Sequence, residues 1–99
     1  MIDGYLLNTR VFNKVNDSKA QALKPLEEAA EVFGAWQELD SMRFASCDAQ
    51  RAFRDDLIDE CMDTVQAIAN LLAAVGATQC EVDAAIKRMD ERNGDRGRL

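Results

Sequence analysis

Two pairs of carboxylates are the residues of this 99-residue chain best suited to chemistry: Glu28 with Glu31, and Glu60 with Asp63. Each pair is spaced i,i+3, so on a helix its two members point to one face. Burying a lone carboxylate is expensive, and such a group must be neutralised, paired or bound to a metal. The chain has no His, and basic residues are scattered through these segments. Four acids converging from two helices repel one another unless a divalent cation sits among them. Oxygen-only ligands select a hard ion. Mg²⁺ fits best, because it keeps waters and takes phosphate oxygens as further ligands; Mn²⁺ is the expected substitute.

Helical geometry shows why these four stand out. Taking Leu26 as 0° and about 100° per residue, the apolar side chains of residues 26–39 fill an arc of roughly 220°. Glu28 falls inside that arc and Glu31 just outside its edge, while Glu27 and Glu38 lie on the polar side. In the second segment, with Leu57 as 0°, Glu60 falls at about 300°, between Ala67 and Leu71 or Phe53. Asp63 and Asn70 lie at the margin of the same side. An acidic pair at i,i+3 is commonplace on a solvated helix face. Two pairs that both intrude on apolar surface call for a cation.

The elements that would position these residues are helices. A short amphipathic helix is expected from about Asp3 to Val15, then a polar loop in which Asp17 or Ser18 caps a second helix. That second helix covers about Lys19 to Asp40, with Pro25 either kinking it or marking its effective start. The stretch "SMRFASCD" is a connection, with Asp48 as N-cap of a long helix from about Ala49 to Val75. Gly76 ends that helix as its C′ residue. Thr78 and Glu81 fit a capping box for a last helix to about Arg92, after which Gly94 and Gly97 make the end irregular. Hydrophobic spacing is near 3.6 in the main helices, and no stretch alternates as a strand does. The fold class is therefore all-α, in a single domain over residues 1–99.

Composition agrees and narrows the partners. Gly is 5, Pro is 1 and aromatics are 6%, which favours helices over a β-sandwich. The net charge of −6 excludes nucleic-acid binding through a general basic surface. Residues 1–86 carry 7 basic and 15 acidic groups, whereas residues 87–99 carry 5 basic and 3 acidic. A solvated acidic body with a frayed tail accounts for this split, and so does a metal–phosphate site. The three cysteines, Cys47, Cys61 and Cys80, are odd in number and widely spaced, which argues against a disulfide scaffold. Cys61 reads as a small hydrophobe on an apolar face. The opening "MIDGYLL" lacks the features of a leader, and the nearly apolar run from Ala67 to Ala77 is too short for a bilayer. A reducing cytoplasm with no membrane partner is the expected setting.

The stretches "LEEAAEVFGAWQ" and "LIDECMDTVQAIANLL" resemble the MazG-like members of the all-α nucleoside-triphosphate pyrophosphatase superfamily. Their pattern is Glu-Glu-x-x-Glu, a variable gap, then Glu-x-x-Asp; here it is Glu27, Glu28, Glu31, then Glu60 and Asp63, with 28 residues between the halves. The likeness covers about residues 19–75. It implies an antiparallel helical bundle completed by oligomerisation, as a homodimer or homotetramer. It implies Glu28, Glu31, Glu60 and Asp63 as Mg²⁺ ligands, and Glu27 as a residue that positions water. The substrate would be a nucleoside triphosphate, ribo or deoxyribo, cleaved to a monophosphate and pyrophosphate. With no His, the general base would be a carboxylate, Glu31 or Glu27. A similar Arg/Asn-rich ending recurs in the family, so Arg88, Arg92 and Arg96 are candidates for phosphate contact; guanidinium forks suit phosphate oxygens. A mobile terminus that complements a helix dipole would look the same.

Asn70 either touches a sugar or base, or is a packing amide within the bundle. Phe33 and Trp36, at helical spacing, read as core sooner than as a base pocket, and Lys24 could reach a phosphate. Two other functions fit the sequence. One is a non-catalytic helical oligomerisation or regulatory module that keeps the fold. The other is an activity like that of phosphoribosyl-ATP pyrophosphatase, which shares the acidic pattern.

Overall fold

The computed structural model describes residues 3–99 and contains three α-helices and, among those residues, no strand: α1 (Lys19–Ser41), α2 (Cys47–Ala74) and α3 (Gln79–Asp95). Met1 and Ile2, where the expected domain and the leader reading begin, lie outside the described residues.

Each helix starts where a side chain can take up an orphan backbone N–H. The Ser18 hydroxyl accepts from Gln21 N at 3.2 Å, and the Ser46 hydroxyl from Ala49 N at 3.2 Å. Thr78 and Glu81 form the full capping box: Glu81 N donates to Thr78 Oγ1, and Thr78 N donates to Glu81 Oε1. The N-cap of α2 is thus Ser46, not Asp48. Ser46 has the extended backbone that a cap needs, and Asp48 falls in the first turn, where its charge faces the positive end of the helix dipole. Gly76 takes φ +77°, with Ala77 N bonded to Leu72 O and Gly76 N to Ala73 O. This is a Schellman closure, and only a residue free to adopt positive φ supplies it cheaply. The same closure recurs at Gly97, so α3 runs to Asp95, past the expected stop near Arg92.

Pro25 lies inside α1, which is continuous from Lys19. It leaves the Gln21 carbonyl without its usual donor. Residues 3–18 hold no helix, against the amphipathic helix expected from Asp3 to Val15. Asn8, Thr9, Val11, Asn13 and Val15 are all weak helix formers. The Phe12 N–H also goes elsewhere: it donates to Asn70 Oδ1 on α2, at 3.0 Å.

α1 and α2 pack against each other, joined by residues 42–46. Gln50 fastens this link by donating to the carbonyls of Arg43 and Ala45. Between the two helices, Lys24 and Glu28 share a cavity with Asp63 to Asn70, and Glu31 to Glu38 share one with Asp56 to Asp63. Numbers rise on one helix as they fall on the other, so the pair runs in opposite directions. α3 forms no comparable packing with either. The radius of gyration, 16.3 Å, accordingly exceeds the value of about 13 Å for a compact chain of this length. Only Ala67 and Asn70 are fully buried among the described residues. In the run from Ala67 to Ala77, Ile68, Leu72 and Val75 remain exposed, as do Leu26, Phe33 and Trp36 on α1. No helix among the described residues is long and apolar enough to cross a membrane.

Candidate metal centre

The antiparallel crossing of α1 and α2 brings the two acidic pairs to one place. Carboxylate oxygens of Glu28, Glu60 and Asp63 lie within 4.8 Å of one another. Glu31, on the next turn of α1, lines a cavity together with Glu60 and Asp63. The spacing explains the meeting: one i,i+3 step climbs α1 while the other descends α2, so two edges of the same strip face each other.

Glu60 is the centre of this group. Its side chain is half-buried, and one oxygen, Oε2, is shut off from solvent with no hydrogen-bond partner. Its pKa is raised above the ordinary carboxylate value. Loss of hydration is the largest cause, followed by the hydrogen bond and charge of Glu31, then the charges of Asp63 and Glu28. Lys24 is the nearest cation. Its ammonium lies 3.4 Å from Glu28 and 3.5 Å from Glu27, one turn down α1, and these partners raise its pKa, Glu28 most. Lys24 thus bridges Glu27 and Glu28, and Glu27 lines neither cavity at the cluster.

The donor set suits a hard cation. It is all oxygen, and it includes one buried carboxylate oxygen that nothing else satisfies. Beside it opens a cavity of about 530 Å³ lined by Glu31, Glu38, Asp56, Asp59, Glu60 and Asp63. Sequence reasoning passed over Asp56, Asp59 and Glu38. The signal was present, because Asp56 and Asp59 fall at about 260° and 200° on the α2 wheel, either side of Asp63, and Glu38 beside Glu31 on α1.

The remaining candidates fall elsewhere. Asn70 is buried, and its Oδ1 accepts from both Phe12 N and Gln66 Nε2 at 3.0 Å, so that oxygen serves the chain's own packing. Asn70 also lines a small cavity with Glu28 and Asp63. Arg88, Arg92 and Arg96 sit on the exposed α3 and its C-cap. Arg92 borders an apolar groove with Leu72, Val82, Ile86 and Met89, away from the carboxylates. Phe33 and Trp36 stack on each other with ring centroids 6.1 Å apart and remain exposed, so they are not core within one chain.

Comparison with models of known protein families, with curated proteins and with solved structures gave no match to this chain.

Proposed function

We propose that the chain is a Mg²⁺-dependent nucleoside-triphosphate pyrophosphohydrolase of the MazG-like type, acting on a ribo- or deoxyribonucleotide. The observation that carries this reading is the convergence of Glu28, Glu60 and Asp63 from two helices around a buried, unsatisfied Glu60 oxygen, with Glu31 against it. Glu28, Glu60 and Asp63 would hold the ion, and Glu31 would complete the set. When bound, Mg²⁺ supplies charge neutralisation for the triphosphate and a lowered pKa for an attacking water. Glu31 is better placed than Glu27 to take the proton from that water, because Glu31 lines the cavity beside Glu60 and Asp63 and Glu27 does not.

The antiparallel bundle is completed, in this reading, by a second copy of the chain. The exposed apolar side chains of α1 and of the Ala67 to Ala77 stretch support that assembly. Arg88, Arg92 and Arg96 lie apart from the acids within one chain, so contact with substrate phosphates would come across the assembly.

The test is purified protein with Mg²⁺ and a panel of nucleoside and deoxynucleoside triphosphates, assayed for pyrophosphate. Turnover is expected, falling to background in Glu60→Gln. Silence across the panel, with wild type equal to the variant, refutes the enzyme. The runner-up, a non-catalytic helical module, draws on the distance of the basic tail from the acids. It predicts that Mg²⁺ raises the melting temperature with no turnover.

A further inference from the structure

Residues 3–18 form no helix, and residues 7–12 among them lie along α2 with very little to hold them. Nearly every side chain from Asp3 to Asn13 is exposed, so apolar burial does not explain their course. The hydrogen bonds that do so are two. Gln66 Nε2 donates to Arg10 O at 2.6 Å, and Phe12 N donates to Asn70 Oδ1 at 3.0 Å. Gln66 also donates to Asn70 Oδ1, which locks the two amides into one clasp. Asn70 is one of only two fully buried residues among those described. Burying an amide is costly unless it is hydrogen-bonded. Here the hydrogen bonds are spent on fixing residues 10–12.

The place where the clasp holds them matters. Asn70 and Gln66 lie two turns and one turn along α2 from Asp63. Phe12 borders a cavity of about 110 Å³ whose other walls include Lys24, Glu28, Asp63, Gln66 and Asn70. The N-terminal segment therefore closes one side of the carboxylate cluster. Phe12, which lines this charged cavity, is still 62% exposed. Lys24 also lines this cavity, its ammonium already paired with Glu27 and Glu28. A ligand whose anionic end is held by an ion at the carboxylates and whose flat end meets Phe12 fits this arrangement, and a Mg²⁺-bound nucleotide is such a ligand.

We propose that the N-terminal segment is a wall of the substrate site: Asn70 and Gln66 are positioning residues that clasp it there, and Phe12 contacts the sugar–base part of the nucleotide. The inference rests on the nucleotide-hydrolase reading, and the experiment separates the two. The full chain carrying ¹⁵N label and a ¹³C label on its Phe rings is titrated with Mg²⁺ and a non-hydrolysable nucleoside-triphosphate analogue, and kinetics are run in parallel. Phe12→Ala, a change at an exposed ring, should raise KM roughly tenfold with kcat within about twofold, as loss of one aromatic contact does. The Phe12 amide should be protected from exchange in wild type and unprotected in Asn70→Ala. Its ring signal should shift as the analogue binds. Binding of the analogue with an unmoved Phe12 signal and an unchanged KM in Phe12→Ala overturns this inference alone. No binding of the analogue overturns it together with the reading beneath it. Where Asn70→Ala fails to fold, Phe12→Ala decides the matter without it.

Discussion

Asn70→Ala separates a packing amide from a ligand contact by its effect on stability. The substitution removes the acceptor for Phe12 N and Gln66 Nε2, both at 3.0 Å. Each such bond contributes about 1 kcal/mol net. Gln66 keeps its bond to the Arg10 carbonyl, so no donor is stranded on that side. The amide is 3% exposed, and its loss leaves a gap beside Ala67 that adds up to about 1 kcal/mol. The total is roughly 2–3 kcal/mol. For a domain of about 100 residues, 1 kcal/mol moves the melting midpoint by about 4–8 °C, so a fall of about 10–20 °C is expected. Trp36, the only tryptophan, lies on α1 and reports the melting of the α1–α2 pair through its emission. A midpoint within about 3 °C of wild type in Asn70→Ala, against the scale set by chain size, would show that the amide is not structural. Asn70 would then return to being a substrate contact.

Two further outcomes come from the same geometry. Glu60 titrates higher in the folded chain than unfolded, so between the two values the folded state binds more protons and stability falls as pH rises. Without divalent ions, wild type should therefore gain urea stability on going from pH 7 toward pH 5 relative to Glu60→Gln; parallel pH profiles would contradict this. Thr78→Ala breaks the capping box and should cost α3 about 1 kcal/mol. Because α3 is not packed on α1 or α2, the loss should show as faster amide exchange in residues 79–84, with the Trp36 melting curve unmoved.

Local rules carried much of the fold from sequence. The capping box at Thr78, the Gly76 closure and the Ser18 cap each depend on residues within six positions of one another. The i,i+3 acid pairs were legible for the same reason, and the apolar face they intrude on marked them out. Features that depend on distant partners were not legible. The segment before Ser18 is unwound, and its Phe12 backbone donor is claimed by an amide 58 residues away. Nothing in the local pattern of residues 3–15 announces that claim. The basic residues from Lys87 onward were linked to the acids by charge and by the family resemblance, and a helix that stands off from the other two does not bring them together. The sequence also showed Asn70 as a lone amide in an apolar run, without showing which of its two roles it takes.

The standing apart of α3 has a consequence for how the chain comes undone. Seventeen residues are little beyond the marginal length for a helix that is not closely packed, so its order leans on the two ends that tie it off, the Thr78–Glu81 box and the Gly97 turn. Loss of structure on warming is then not one event. The outer helix dissolves gradually, residue by residue, as a peptide does, while the paired helices hold together until they give way at once.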